Sequence, residues 1–444
     1  MANLHLLVLI HGMWGNPAHL TRMQEIIQQT MGAIENSGSE PIELVVLVAQ
    51  TNRDEWTYDG IDWGGERVAE EVMNEVMKYE KQGRRVTRFS VMGYSMGGLI
   101  ARYVIGILHQ NRFFETVTPV NFNTIATPHI GIPNFRTAQS SIRSFFGRNF
   151  LSRTGEQFYC ADKWSPKGRT LIEVLGDPEY IFYQALLLFP NIGVYANAIN
   201  DHTVPYITAA IELTDPFTEY QKNDIKIEFL GNYEHVIKSY SAPDSPGPLS
   251  TNARLSLLAR IASAVPPIPP AFQYTFPVNI IIYPLLPFLI PAFLSLLVIR
   301  FSISSKKSRT RLQILEADLA RERLSHIIAK LEREIETATL DAYENPELLL
   351  SLGPVSRGSG PEQLVPKAGT IPALETSSHS ISYLTPGQLK CIENLNKIAW
   401  LKKTLVFFAD VDNSHPVIVC RDVKSEHHRK GEAVLRHWAD HFEL

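Results

Sequence analysis

Residues 86–110 read VTRFSVMGYSMGGLIARYVIGILHQ, and the pentapeptide in the middle of this stretch decides the fold. The apolar run before it predicts a buried strand, and the residues from Met96 onward predict a helix. The pentapeptide GYSMG (residues 93–97) matches the G-x-S-x-G pattern of a nucleophile elbow, a sharp turn that projects a serine above a sheet. A glycine-rich turn without chemistry is the alternative, but a strand before and a helix behind favour Ser95 as a nucleophile.

Strands and helices alternate on both sides of this elbow. Predicted strands cover residues 4–10, 42–49, 86–92, 117–125, 192–199, 404–409 and 417–420, and predicted helices cover 17–32, 64–82, 96–110, 309–341 and 430–443. Such alternation is typical of a parallel sheet covered by helices on both faces. Together with the elbow, it predicts an α/β-hydrolase with a mostly parallel central sheet. The run 4–10 lacks the flanks of a secretory signal, so we expect a buried first strand there.

The loop after the first strand reads HGMWG (residues 11–15) and predicts an oxyanion hole. In α/β-hydrolases this loop donates one backbone N–H to the oxyanion, and the residue after the nucleophile donates the other. The predicted donors are therefore Met13 and Met96, whereas His11 has a structural role because the loop works through its backbone. The predicted substrate-binding residues beside them are Gly12, Trp14 and Tyr94.

A catalytic acid is expected after a later strand, because the triad of this fold runs in the order serine, acid, histidine. Asp201 directly follows the predicted strand 192–199 and is the favoured acid. A capping role for Asp201 is the alternative, because aspartate often caps helices and turns. Asp177, in GDPEY, is the second candidate acid, although its surroundings are typical of a turn.

Three histidines are candidates for the base. His415 follows the late strand 404–409, where the triad order places the base, and it is favoured. His235 also follows the acid in the chain and remains the alternative. His202 is next to Asp201, and neighbours in sequence seldom point at one another.

The composition limits the classes of function. The chain has 444 residues, and its net charge of −4 lacks the basic excess expected of a nucleic-acid-binding protein. Cys160, Cys391 and Cys420 are widely spaced and odd in number, which fits neither a disulfide framework nor a zinc site. We therefore expect a reduced, cytosol-facing protein. A serine triad requires neither a metal nor an organic cofactor, and none is predicted.

Phe276 to Ile299 contains no charged residue and is long enough to cross a bilayer. The basic residues that follow it are Arg300, Lys306, Lys307, Arg309 and Arg311. One crossing would separate Ser95 and Asp201 from His415, so the segment must enter and leave on one face. Because proline breaks or kinks helices, a proline-bent hairpin or an in-plane anchor is predicted. The prolines concerned are Pro277, Pro284, Pro287 and Pro291. A buried core helix is the alternative.

The chain is accordingly divided into five segments. These are 1–240, the N-terminal part of the hydrolase core; 241–308, a proline-rich, hydrophobic, membrane-associating insertion; 309–345, a long amphipathic helix; 346–388, a disordered linker; and 389–444, the C-terminal part of the core. The helix 309–345 is expected either to lie on anionic headgroups or to be solvated.

Several of these stretches resemble a family of fungal lipases with a serine-esterase domain, whose members include a lipid-droplet phospholipase of yeast. The matching stretches are LLVLIHGMWGNPAHL, TYDGIDWGGERVAEE, VMGYSMGGLIARYVIG, NTIATPHIGIP, YANAINDHTVPY, NSHPVIVCRD and KGEAVLRHW. The resemblance implies the same α/β-hydrolase fold and the same catalytic residues, Ser95, Asp201 and His415. It also implies a cytosol-facing location on a lipid droplet or the endoplasmic reticulum, and a structural role for His129.

The resulting hypothesis is a serine-dependent lipid ester hydrolase, a phospholipase or an acylglycerol lipase, acting at a membrane or lipid-droplet surface. An acyltransferase that uses the same acyl-enzyme is the first alternative. A non-catalytic, membrane-tethered scaffold is the second.

Overall fold

The computed structural model describes residues 3–35, 42–135, 138–165, 167–218, 220–222, 224–241, 278–317 and 383–444. A six-stranded, fully parallel sheet forms the centre of the fold. Its strands are β1 (Asn3–Ile10), β2 (Glu43–Val48), β3 (Arg85–Tyr94), β4 (Thr118–Ile125), β5 (Asn191–Asn197) and β8 (Leu401–Val406). Their spatial order is β2-β1-β3-β4-β5-β8. A separate antiparallel hairpin joins β6 (Lys226–Phe229) to β7 (Ile237–Ser241).

Helices cover both faces of the sheet. They are α1 (Thr21–Glu35), α2 (Ile61–Lys81), α3 (Met96–Gln110), α4 (Ala138–Phe150), α5 (Ser152–Phe158), α6 (Leu171–Leu175), α7 (Ile181–Leu187), α8 (Tyr206–Ala209), α9 (Val278–Ala317), α10 (Pro386–Asn396), α11 (Ser414–Val417), α12 (Glu426–Arg429) and α13 (Glu432–Asp440). Short 3₁₀ helices occupy Pro17–Leu20, Asp54–Tyr58 and Phe113–Glu115. The apolar faces of α2, α3 and α7 belong to one buried core, and those of α1 and α13 belong to a second. The parallel sheet, covered on both faces, confirms the predicted α/β-hydrolase fold.

The sheet explains how the two ends of the chain form one domain. β5, from the first half of the chain, pairs in parallel with β8, from the end of the chain, with Ile192 opposite Leu401 and Asn197 opposite Val406. The carboxyl ends of both strands therefore lie at the same edge of the sheet. The loops after them carry the residues that form the candidate site.

The predicted strand 417–420 is wrong. Residues Ser414–Val417 form a short helix instead, and the Asn413 side chain accepts a hydrogen bond from the His415 amide at its start. Pro416 favours this arrangement, because proline cannot donate a ladder hydrogen bond but fits the first turn of a helix. Residues 418–420 then form a turn in which the Cys420 amide donates to the Val417 carbonyl at 2.8 Å.

The hydrophobic segment is one continuous helix, not a proline-bent hairpin, over the part that the structure describes. α9 has 40 residues, about 60 Å of helix, and runs through Pro284, Pro287 and Pro291 without a break. Proline removes one backbone hydrogen bond and strains the helix, but it does not forbid a helix that has other support. The Pro291 carbonyl accepts a hydrogen bond from the Ser295 hydroxyl one turn later, at 2.8 Å.

The predicted boundary at 308/309 is also wrong, because α9 passes through it. The hydrophobic segment and the first residues of the predicted amphipathic helix belong to the same helix. The rest of that predicted helix, from residue 318, lies outside the described residues, as do Phe276, Pro277 and most of the predicted linker. The described chain resumes at Tyr383, and α10 begins within the predicted linker.

Candidate active site

Ser95 stands in a strained turn between β3 and α3. Its φ of 57° and ψ of −126° lie in a region that non-glycine residues rarely adopt. The turn can close only because Gly93 and Gly97 have no side chain. A Cβ on Gly93 would overlap Gly98, and a Cβ on Gly97 would overlap the Ile10 carbonyl oxygen. The glycines of the pentapeptide are therefore required by close backbone approach, which is the geometry of a nucleophile elbow.

The structure brings the three predicted triad residues together. His415 Nε2 lies 3.0 Å from Ser95 Oγ, and His415 Nδ1 lies 2.9 Å from Asp201 Oδ2. An ionised carboxylate can only accept, so Nδ1 carries the proton and Nε2 is free to accept from the serine hydroxyl. Both ends of the imidazole are thus fixed in the tautomer that a general base needs.

Asp201 is held as a carboxylate by its surroundings. Burial alone would raise the pKa of its carboxyl, but His415 and hydrogen bonds from Val204 N and Asn197 Nδ2 lower the pKa below its ordinary value. Oδ1 accepts from the amides of Thr203 and Val204, at 2.9 and 2.8 Å. Asp201 therefore both caps the turn that follows β5 and orients the histidine.

Tyr94 supports the base and does not line the cavity, so its predicted substrate-binding role is wrong. Its hydroxyl donates to the His415 carbonyl at 3.0 Å, and the two rings lie 5.1 Å apart. The side chain is 3% exposed. Tyr94 thus fixes the backbone of the loop that carries His415.

The two predicted oxyanion donors are placed beside the nucleophile. Met96 directly follows Ser95 and begins α3, so its amide has no acceptor within the helix. Met13 follows Gly12, where an added Cβ would lie 2.6 Å from the Ser95 Cβ. Gly12 therefore does not line the cavity as predicted; its missing side chain lets the Met13 loop approach Ser95.

A cavity of about 560 Å³ opens beside Ser95. Most of the side chains around it are apolar and come from two sides of the molecule. They include Met13, Trp14, Ile132, Phe146, Phe150, Leu151 and Phe158 from the hydrolase core, and Leu294, Leu297, Val298 and Phe301 from α9. Of the residues predicted to bind substrate, only Trp14 lines this cavity. A cavity of this size and composition suits a mainly apolar ligand.

Trp14 connects the oxyanion loop to α9. Its ring stacks on Phe301, with centroids 5.8 Å apart and planes 17° apart. Its indole N–H donates to the Tyr58 hydroxyl at 2.9 Å, and its backbone amide donates to the Thr57 hydroxyl at 3.3 Å. The helix thus contacts the loop that carries a predicted oxyanion donor.

The contribution of α9 to the cavity was not predicted from the sequence. Its four cavity residues recur at steps of three, four and seven, which is the spacing of one helix face. That signal is hidden in the sequence because every neighbouring position between 285 and 299 is also apolar or proline, except Ser295. Only the structure separates the inward face from the outward one.

Buried charges hold the other end of α9. Asp59, whose side chain is fully buried, accepts from Ser308 Oγ at 2.6 Å and from Arg311 Nη2 at 2.8 Å. Arg67 also pairs with Asp59, at 2.5 Å. Arg311, in the predicted helix 309–345 that was expected to lie on headgroups or to be solvated, therefore contacts the hydrolase core instead. Lys307 and Arg309 pair more loosely with Glu55 and Glu156, each at 3.5 Å.

The other candidate acids and bases have different partners. Asp177 accepts from Arg169 at 2.6 Å and from the Glu179 amide at 3.0 Å, as a turn residue does. His235 contacts the Phe408 ring, and its carbonyl accepts from the Phe407 amide. His202 is exposed at the cavity rim. Buried His129 shares a hydrogen bond with the Thr124 hydroxyl at 3.0 Å, which agrees with a structural role.

The fold and the Ser95–His415–Asp201 hydrogen-bond chain have the geometry of a serine hydrolase active site. Residues 1–214 match the family model described as "Putative serine esterase (DUF676)", which includes Ser95 and Asp201. Through these residues, a little under half of its length, the chain is similar to that serine esterase family. His415 lies outside the matched range.

Two fungal proteins illustrate the relationship. "Putative lipase C4A8.10" of Schizosaccharomyces pombe is 31% identical over 216 residues, which are 48% of this chain and 26% of that protein. "Putative lipase ROG1" of Saccharomyces cerevisiae is 30% identical over 248 residues, 55% of this chain and 33% of that protein. The chain thus spans about a third or less of the length of these relatives.

Two solved structures overlap parts of the fold. A cell surface hydrolase of Lactobacillus plantarum WCFS1, described as putative, is 18% identical, with a TM-score of 0.26 over 52% of this chain and 82% of that chain. RedJ with a polyethylene glycol molecule in its active site is also 18% identical, with a TM-score of 0.21 over 32% and 52%.

Proposed function

We propose that the protein hydrolyses a carboxylic ester of a lipid, as a phospholipase or acylglycerol lipase, at the surface of a membrane or lipid droplet. One observation carries the proposal: the Ser95–His415–Asp201 hydrogen-bond chain opens into an apolar cavity, and one wall of that cavity is a helix with exposed apolar side chains. An apolar wall of this kind favours the apolar part of a lipid over a water-soluble substrate.

The geometry supports an acyl-enzyme mechanism. His415 Nε2 takes the Ser95 proton as the hydroxyl oxygen attacks the ester carbonyl, and Asp201 stabilises the imidazolium that forms. The amides of Met13 and Met96 carry the negative charge of the tetrahedral intermediate. His415 then returns the proton to the leaving alcohol. A water molecule, deprotonated by the same nitrogen, releases the fatty acid and regenerates Ser95.

The lipid surface is the partner that best fits the outward face of α9. Phe288, Phe293 and Leu296 are 74%, 56% and 65% exposed, and the most apolar window of the helix is only 11% buried. Within the described residues, α9 is the one helix long and apolar enough to cross a membrane. Exposed apolar surface of this extent marks a membrane or partner site. We therefore propose anchoring through Phe276 to Ile299, on the cytosolic face of the endoplasmic reticulum or of lipid droplets.

Fatty-acid release tests the chemistry. Phospholipids, triacylglycerol and monoacylglycerol in detergent micelles are offered to the wild type, Ser95→Ala, His415→Ala and His235→Ala proteins. We expect release by the wild type and His235→Ala proteins only, and the best substrate identifies the lipid class. Equal release by wild type and Ser95→Ala would overturn the proposal. Transfer of the acyl group to an added alcohol in place of water would identify an acyltransferase.

Flotation with vesicles tests the surface. The substitution Phe288→Glu places a charge on the exposed half of α9, whereas Ile314→Glu changes an exposed residue of the same helix beyond the proposed anchor. We expect wild type and Ile314→Glu proteins to float with phosphatidylcholine vesicles and Phe288→Glu to float much less, because a charged side chain is costly in the apolar phase. Equal flotation of all three would contradict anchoring by this segment.

A further inference from the structure

Leu294, Leu297, Val298 and Phe301 form a single stripe of α9 and all line the cavity beside Ser95. Their spacing places them on one face over two turns, about 10 Å of helix. Leu296 and Ile299 lie on the opposite side, and both are more than half exposed. The helix therefore has one apolar face toward the nucleophile and another toward the surroundings.

The facing wall belongs to the hydrolase core. Phe146 and Phe150 stack on each other in α4 with ring centroids 5.3 Å apart, and Leu151 follows them. Between this wall and the α9 stripe the cavity is lined mostly by apolar side chains, and Ser95 lies on its boundary. Arg143 and His202 are polar residues of the lining. They contact each other at the rim, where Arg143 Nη1 donates to the His202 carbonyl at 3.1 Å.

We infer that α9 forms the acyl-binding wall of the active site, so that the helix facing the lipid also sets the acyl-chain length that the enzyme accepts. This inference rests on the proposed function. The occupant is the acyl chain of the ester, with its carbonyl at Ser95 and its methylenes along Leu294, Leu297 and Val298. A lipid leaving its monolayer can follow the apolar surface of the same helix from the outward face into the cavity.

Chain-length profiles of soluble esters separate this role from membrane binding. Hydrolysis of p-nitrophenyl butyrate and p-nitrophenyl decanoate is measured in the same detergent for full-length proteins. The wild type is compared with Leu297→Trp, which fills the cavity, and with Leu297→Ala, which widens it. Ile314→Trp is the matched control, because Ile314 is exposed on the same helix and lies outside both the cavity and the proposed anchor.

We expect Leu297→Trp to lower the decanoate-to-butyrate ratio of kcat/KM by at least about tenfold, since one methylene in a fitted pocket already changes discrimination by that factor. The ratio should not change in Ile314→Trp. Equal ratios in wild type and Leu297→Trp would overturn the inference. If Leu297→Trp loses butyrate hydrolysis too, Leu297→Ala decides, because an unchanged ratio there overturns the inference and a changed ratio supports it. Wild type that hydrolyses neither ester would overturn the proposed function itself.

Discussion

Arg311 forms an ion pair with the fully buried Asp59, with Nη2 and Oδ1 2.8 Å apart, although the two residues are 252 positions apart in the chain. The guanidinium also donates to the Glu55 carbonyl at 3.0 Å and lies over the Trp56 ring, 4.7 Å from its centroid. Arg67 lies over the same ring at the same distance. This pair ties the basic end of α9 to the hydrolase core and so fixes where its apolar stripe lies.

The first prediction concerns this attachment. Arg311→Ala should release the basic end of α9, because it removes one of the two cations that pair with the buried Asp59 carboxylate. Since Arg67 remains, the loss should be smaller than the about 3–5 kcal/mol expected when a buried charge is left without any partner. Hydrogen exchange should show lower protection of the α9 amides around residue 311. Lys307→Ala is the control. Lys307 and Glu55 are both about half exposed, and a pair of that kind contributes at most about 1 kcal/mol.

Equal exchange in the two variants would show that apolar packing alone holds α9. Sheet amides in β3 and β4 provide the internal reference, because Arg67 still compensates Asp59 in the variant and the core should remain folded.

The second prediction concerns the acid. Asp201→Asn should lower kcat about 10⁴-fold with little change in KM, because an amide cannot hold the Nδ1 proton of His415 in place. Ester hydrolysis measured across substrate concentrations separates the two constants. Asp177→Asn, at the other candidate acid, should keep activity close to wild type. A reversed result would move the acid to Asp177.

Local sequence signals account for the parts of the molecule that were predicted correctly. The elbow, the strand β1 and the helix α3 are each specified by residues within a few positions of one another, so pattern reasoning finds them. The positions of Ser95, Asp201 and His415 follow from chain order on a known fold, because the carboxyl ends of parallel strands converge.

Long-range contacts account for the parts that were missed. Asp59, the buried partner of Arg311 and Ser308, lies about 250 residues away in the chain, so local patterns could not show that the basic end of α9 packs on the hydrolase core. The predicted hairpin was wrong over the described residues because four prolines in an apolar run favour a break, whereas the packing of α9 on the core cannot be predicted from local sequence. Tyr94 was misassigned because its neighbour Ser95 faces the cavity, whereas its own side chain points to the His415 loop.

The third prediction concerns the elbow. Gly97→Ala should prevent the native fold or destabilise it by several kcal/mol, because the new Cβ would overlap the Ile10 carbonyl oxygen, which is backbone and cannot rotate away. Gly231→Ala is the control, since nothing lies within 4 Å of the corresponding Cβ. Urea unfolding of both variants checks the difference. Similar midpoints would show that the elbow tolerates a methyl group.

The fourth prediction concerns acid stability. Burial, with Arg88 as the smaller cause, lowers the pKa of His5 to about 3, whereas the pKa of histidine in an unfolded chain is about 6.5. Between these values the unfolded chain binds a proton that the folded chain does not. The free energy of unfolding therefore falls as the pH is lowered, by about 1.4 kcal/mol per pH unit from this group.

His5→Gln should remove this contribution, because glutamine does not titrate and can still reach the Ser90 hydroxyl that His5 Nε2 meets at 2.7 Å. The difference in unfolding free energy between pH 7 and pH 5 should shrink by about 2 kcal/mol, measured by urea titration. His427→Gln, at an exposed position, should leave that difference as in wild type. An unchanged difference in His5→Gln would assign the acid sensitivity to other groups.

The pairing of β5 with β8 has a consequence for biosynthesis. The ribosome synthesises Ser95, Asp201 and α9 before it synthesises β8 and His415. Chains begin to fold from the N-terminus as they emerge. Until β8 and His415 are made, the outer edge of β5 is open, and Ser95 has no base to take its proton. The nascent chain therefore contains α9 before its Ser95–His415–Asp201 hydrogen-bond chain can form, and that chain is complete only once β8 has joined the sheet.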